Sequence, residues 1–200
     1  MDALVDMLIE QGTLRSPEII NAFRSIDRAD FVPAESKPYA HMDKPIHIGY
    51  QQTISQPTTV AFMLELLGPH RGERILDIGS GSGWTTALLG HIVGSDGYVL
   101  GLERIEELVA FGKATTAIYD MPRIEIKKAG ATLGDQKSAP FDHILVSASA
   151  REFPKELLSQ VREKGTIVLP VRDAIWRIKR VNHEPLIEKY DGYIFVPLIK

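Results

Sequence analysis

The strongest constraint in this chain is a glycine loop set between two elements of opposite type. An apolar run, Arg74-Ile75-Leu76-Asp77-Ile78, reads as a buried strand, and Trp84 to Val93 reads as a helix. Between them stands Gly79-Ser80-Gly81-Ser82-Gly83. Alternate glycines let the backbone turn sharply and let a ligand lie against main-chain atoms. The helix behind the loop presents its free N–H groups to the same place. Such a loop, set between a strand and a helix, predicts a ligand held close to the backbone.

The rest of the chain supplies a sheet. Val60, Met63, Leu64 and Leu67 predict a helix from Pro57 that ends at Gly68. Further strands are expected at 98–102, 124–126, 142–146 and 166–169, with helices at 105–119 and 155–162. Strand–helix alternation of this kind signals right-handed βαβ units. Leu4, Val5, Leu8 and Ile9 recur at helical spacing at the start. Ser16-Pro17-Glu18 then reads as an N-cap ahead of a helix with the apolar stripe Ile19, Ile20, Phe23 and Ile26. Residues 28–56, with prolines at 33, 38 and 45, look irregular, and a loop region that long is more often functional than spare. Residues 175–181 and 193–198 are predicted to pair antiparallel at the sheet end, joined by a turn-rich stretch with Asn182, Pro185, Asp191 and Gly192. The expected fold is a Rossmann-like, doubly wound, mostly parallel α/β sheet with an antiparallel end and a short helical N-terminal extension. It forms a single domain over 1–200: extension and lid at 1–56, core at 57–171 and C-terminal strands at 172–200.

Composition narrows the chemistry by exclusion. With 200 residues the chain builds one full-sized core. The absence of cysteine removes disulfides, thiolate metal sites and a cysteine nucleophile. A net charge of −3 implies no broad basic face, so no nucleic-acid partner is expected. Asp2, Asp6 and Glu10 interrupt any signal-peptide core, and no run approaches the roughly 18 apolar residues of a membrane span. A cytoplasmic protein with no membrane partner is the resulting expectation. His41, Asp43 and His47 match no standard zinc spacing, and no metal site is expected. The remaining histidines, at 70, 91, 143 and 183, read as surface or packing residues. Arg177, Lys179 and Arg180 read as a solvated strand face.

A dinucleotide fingerprint would place glycine where Trp84 stands. The G-x-G-x-G spacing, with Asp77 two residues before the first glycine, instead resembles motif I of the S-adenosylmethionine methyltransferases. That cofactor carries an ammonium, a carboxylate, a ribose and a sulfonium. Asp77 would face its cationic amino-acid end, directly or through water. Glu103 ends the second core strand, 20 residues after Gly83, where a carboxylate can accept both ribose hydroxyls. Its other reading is an acid that opens the following helix. Trp84 could pack on the cofactor or on a neighbouring helix.

A more specific resemblance covers most of the chain. Gln52-Thr53-Ile54-Ser55-Gln56-Pro57 matches the signature of the protein-L-isoaspartate O-methyltransferases. Phe31-Val32-Pro33 matches their upstream segment, and Asp43, Pro45, Ile48 and Gly49 the lead-in. Ala139-Pro140-Phe141-Asp142, Val168-Leu169-Pro170-Val171 and Phe195-Val196-Pro197-Leu198 fit as well. The resemblance implies methylation of the free α-carboxylate of L-isoaspartyl residues in damaged proteins or peptides, with S-adenosyl-L-methionine as donor and S-adenosyl-L-homocysteine as product. The resulting ester collapses to a succinimide that partly reopens as aspartate. A carboxylate is already ionised near neutral pH, so no general base is needed. By this resemblance Ser55 lies beside the transferring methyl and the acceptor carboxylate, with a helix cap ahead of Pro57 as its other reading. Thr53, Ile54, Asp77, Gly79, Ser80, Gly81, Gly83, Glu103, Ala131 and Thr132 would hold the cofactor. Ile48, Gly49, Gln52 and Ser147 would meet the acceptor, and Gln56 would help to shape the lid.

The chain departs from the pattern at four places. Gln51 stands where the family has a second glycine. If that position has positive φ, the side chain costs about 1–2 kcal/mol. Gly130-Ala131-Thr132 replaces Gly-Asp-Gly, whose aspartate helps to hold adenine. His41 replaces a tyrosine, and Ser147-Ala148-Ser149-Ala150 replaces an alanine-rich stretch. Two alternatives follow: a related methyltransferase with another acceptor, and an inactive binding homologue.

Overall fold

The computed structural model describes residues 1–121, 123–181 and 184–199. Asn182 and His183, named above, lie outside the described residues. The helices are α1 (Asp2–Glu10), α2 (Pro17–Ser25), α3 (Pro57–Leu67), α4 (Trp84–Val93) and α5 (Glu106–Thr116). The strands are β1 (Ile46–Gly49), β2 (Gln52–Ile54), β3 (Arg74–Ile78), β4 (Tyr98–Glu103), β5 (Ile124–Lys128), β6 (Phe141–Val146), β7 (Val161–Val171), β8 (Ala174–Val181) and β9 (Glu184–Asp191). Seven of these form one sheet in the order β5-β4-β3-β6-β7-β8-β9, parallel from β5 to β7 and antiparallel beyond. The winding reverses between β3 and β6. Their carboxyl ends therefore splay open at the switch point, the usual place for a ligand in such sheets.

Side-chain alternation along the strands divides the interior in two. Ile75, Val99, Leu145 and Val168 face a cluster built with the apolar stripes of α1 to α5. Leu76, Leu100, Ile144, Ile167 and Leu169 face the other way. The chain winds to both sides of the sheet, but no α-helix contributes to this second cluster among the described residues. It is closed by Leu157 of a 3-10 turn and by Leu133, Phe153 and Leu158 from loops.

Two local expectations need correction and two gain detail. The helix predicted at 155–162 is only a 3-10 turn at Lys155–Leu157, and Val161 already belongs to β7. A register shift opposite Phe141 and His143, with Lys164 at φ 65°, absorbs the extra residues of that strand. The last strand is β9 at Glu184–Asp191, in the stretch read as a turn, and not 193–198. After Gly192, at φ +94°, Tyr193 stacks on Phe62, while Val196 to Ile199 run along the cleft with one bridge between Ser149 and Pro197. Ser16 stands at the N-cap of α2, but its hydroxyl donates to Glu65 Oε2 at 2.8 Å and caps nothing. The irregular region 28–56 holds two 3-10 segments and the β1–β2 hairpin.

Candidate active site

At the carboxyl ends of β3, β4, β5 and β6 lies a cleft of about 850 Å³, roofed by the β1–β2 hairpin and walled by residues 196–199. The glycine loop forms its floor. Gly79 and Ser80 both donate to Leu102 O, at 2.8 and 3.1 Å, which ties the loop to the neighbouring strand. Gly83 sits at φ 91°, and a Cβ there would come 3.0 Å from Thr116 Cγ2, so glycine is what lets α4 start against α5. A Cβ on Gly81 would lie 3.3 Å from Ile48 Cδ1, so roof and floor meet at this residue.

Two carboxylates stand behind the loop in different roles. Asp77 is fully buried and does not line the cleft. Its Oδ2 accepts from Thr85 and Thr86 hydroxyls, each at 2.7 Å, whereas Oδ1 has no partner. Desolvation pushes its pKa up to about 6, against the two hydroxyl bonds and with a further push from Glu103. Glu103 lines the cleft. Its Oε1 accepts from the N–H groups of Arg104 and Ile105, the helix-opening role, while Oε2 accepts from Gly81 N–H at 2.9 Å. One carboxylate thus fixes both the start of α5 and the glycine loop.

The roof is a two-residue hairpin. Gly49, Tyr50 and Gln51 all have positive φ, at 91°, 52° and 58°. Positive φ at both central residues is the type I′ turn demanded by the twist of such a hairpin, for which Asn-Gly is the usual sequence. Ser55 follows the hairpin and lines the cleft. It does not cap α3. That work falls to Asp43, which accepts from Thr58 N–H at 2.8 Å, Thr58 Oγ1 at 2.6 Å and Gln56 Nε2 at 3.0 Å. These bonds outweigh burial and hold Asp43 below the usual carboxylate range.

Of the residues expected at the site, Ile48, Gln52, Thr53, Ile54, Ser55, Gly79, Ser80, Gly81, Glu103, Ala131, Thr132 and Ser147 line the cleft. Gly49, Asp77 and Gly83 do not; they shape the backbone behind it. Trp84 packs edge-on against Phe23 of α2 at 5.5 Å, which bears out its packing on a neighbouring helix, and it also lines the cleft. The tail, Val196 to Ile199, was not anticipated as a wall. His41 and Asp43 face separate partners, Asp27 and Thr58, and among the described residues no group of three or more His, Cys, Asp or Glu is placed to hold a metal. His143 is buried, its Nε2 3.2 Å from Glu73 Oε2. Arg177 pairs with Glu188 and Lys189 lies over Trp176, as on a solvated strand face.

The fit to a nucleoside ligand with a cationic tail rests on unmatched polar atoms. Ser80 Oγ, Trp84 Nε1 and Asp77 Oδ1 are buried without a partner around one floor. Buried polar atoms are normally satisfied. Comparison with known proteins then decides the family: the model of the protein-L-isoaspartate(D-aspartate) O-methyltransferase family matches residues 1–200.

The chain belongs to this family.

Relatives named protein-L-isoaspartate O-methyltransferase include one from Methanopyrus kandleri, 36% identical over 99% of this chain and 90% of its own length. Another, from Pyrococcus horikoshii, is 37% identical over 98% and 90%. A Plasmodium falciparum protein-L-isoaspartate O-methyltransferase, solved in complex with S-adenosyl-L-homocysteine, superposes with a TM-score of 0.87 at 24% identity, covering 98% of this chain and 97% of that one. A second solved protein-L-isoaspartate O-methyltransferase gives a TM-score of 0.90 at 22% identity, covering all of this chain and 66% of that one. These structures share the fold of the family member described here. No helix among its described residues is long and apolar enough to cross a membrane.

Proposed function

We propose that this protein methylates the free α-carboxylate of L-isoaspartyl residues in damaged proteins, using S-adenosyl-L-methionine. The observation that carries this reading is the meeting of two motifs across one cleft. The glycine loop and Glu103 form the floor, and the hairpin ending in Thr53-Ile54-Ser55 forms the roof, in contact at Gly81 and Ile48.

The cofactor, when bound, supplies a methyl group on a sulfonium. Everything else is positioning by this chain. Glu103 would accept the ribose hydroxyls, and the unpartnered Ser80 hydroxyl of the floor would meet the amino-acid end, with the Asp77 charge behind it. Ala131 and Thr132 bound the adenine end. The Ser55 hydroxyl would donate to the acceptor carboxylate and hold it in place for methylation, with Ile48, Gln52 and Ser147 around the acceptor. Gly49 and Gly83 serve through the backbone. The roof excludes water from the reacting atoms. The unit that does this is the single domain 1–200, and we place it in the cytoplasm, acting on proteins without nucleic acid or membrane.

Labelled methyl transfer to matched peptides tests the assignment. Peptides with L-isoaspartate are expected to take up label, and the same peptides with normal aspartate are not. Equal labelling of both, or labelling of neither by folded protein that binds S-adenosylhomocysteine, overturns it.

A further inference from the structure

Arg28, far from the cleft in sequence, is completely buried. It opens the 3-10 segment Arg28–Phe31. One terminal nitrogen donates to Ala40 O at 2.7 Å and Met42 O at 3.3 Å. The other donates to Lys44 O at 2.9 Å, Ile54 O at 3.5 Å and Ser55 O at 3.0 Å. The guanidinium also lies 5.3 Å from the ring centre of Trp84, the first residue after the glycine loop. Among the described residues no carboxylate forms an ion pair with it; Asp43 acts on it only at a distance.

A buried charge without a direct counter-ion is costly, and carbonyl dipoles are what offsets it here. Only arginine presents a planar fork with enough donors to serve five carbonyls from two separate segments. Burial lowers its pKa to about 10, so it stays charged at neutral pH. Two of the five carbonyls flank the Ser55 Cα. Holding successive peptide oxygens by one nitrogen fixes the backbone at Ser55 and hence the direction of its hydroxyl. The same guanidinium lies over the cleft-lining indole of Trp84, so roof and floor share one support.

We infer that Arg28 is a positioning residue for methyl transfer, setting the Ser55 hydroxyl at its working angle by gripping the carbonyls on either side of it. This rests on the function proposed above.

A double-mutant cycle tests it. Arg28→Lys keeps the charge but cannot reproduce the fork. With an isoaspartyl peptide its kcat is expected to fall roughly ten- to a hundredfold, the scale of a small misplacement of reacting groups. Cofactor affinity should change less than about fivefold, the split expected for a loss felt in the transition state. In a Ser55→Ala background the same Arg28→Lys change should cost less than about threefold further, because the hydroxyl it aims is already gone. Full multiplication of the two losses makes Arg28 a general scaffold residue and overturns the inference. So does unchanged kcat, or cofactor affinity lost in parallel with kcat. Should Arg28→Lys fail to fold, Arg28→Gln, smaller and uncharged, enters the same cycle; failure of both to give native circular dichroism marks Arg28 as a folding residue and also overturns it. An inactive wild type removes the proposed function, whereas an active wild type with a multiplicative cycle removes the Arg28 inference alone.

Discussion

The floor and the roof of the cleft solve the same backbone problem in opposite ways. On the floor, Gly79, Gly81 and Gly83 all have positive φ, and every such position is glycine. In the roof, Tyr50 and Gln51 adopt the same region with full side chains. The floor must let a ligand approach main-chain atoms, so side chains are removed. The roof must present side chains to the cleft, which both Tyr50 and Gln51 line, so it carries the strain. Where this family member spends conformational energy therefore marks where it needs side-chain contact.

The largest effect expected from breaking this division is at Ser55. Ser55→Ala should lower the single-turnover rate roughly ten- to a thousandfold through lost positioning. Cofactor affinity by calorimetry should move less than about fivefold. Because Asp43 caps α3, the melting temperature should barely change; a large drop would show that the hydroxyl supports the roof rather than the acceptor.

The next effect belongs to the floor. Asp77 has an ordinary value of 3.8 and is raised to about 6 by burial. A group raised on folding contributes stability that is present below 3.8 and lost as pH climbs through about 6. That gap corresponds to on the order of 3 kcal/mol. Urea melts between pH 4 and 7 should show this slope over the other titrations, and Asp77→Asn should flatten it. Cofactor affinity should run the other way, weakening about tenfold from pH 7.5 to 5 as the charge facing a cationic tail is neutralised. Affinity independent of pH would separate Asp77 from the ligand.

The smallest effect sharpens the contrast in the roof. Gln51→Gly removes a strained φ, worth about 1–2 kcal/mol, but adds freedom to the unfolded chain, worth about 0.4–1 kcal/mol. A net gain of about 1 kcal/mol in denaturant melts is expected, with cofactor affinity unchanged. Equal or lower stability would mean that the Gln51 side chain makes compensating contacts.

The sheet core was legible because β3, β4, β6 and the second half of β7 are short, nearly continuous apolar runs that alternate with helical or loop segments. The apolar tail, Tyr193 to Leu198, misled for a physical reason. Tyr193 stacks on Phe62, Ile194 is exposed and Val196 to Leu198 line the cleft, so these residues do not share a ladder, and Pro197 offers no N–H. The true edge strand, Glu184–Asp191, carries Pro185, and its residues 186–189 and 191 are exposed, so its sequence imitates a turn. At the site, the glycine loop, Glu103 and the Ser55 segment were readable from motif order. Arg28 was not, since a lone arginine between helices reads as surface until the carbonyls it meets are known.

The turn at Tyr50-Gln51 has a bearing on chemical ageing. The sequence that best suits a type I′ turn is Asn-Gly. It is also a dipeptide in which the asparagine side chain is readily attacked by the next backbone nitrogen, because glycine offers no obstruction. Neither tyrosine nor glutamine can close that five-membered ring. No Asn-Gly occurs anywhere in the chain, and its two Asp-Gly pairs, Asp96-Gly97 and Asp191-Gly192, lie away from the cleft lining. The strained turn thus keeps the roof of a repair enzyme from acquiring the lesion that the enzyme treats in others.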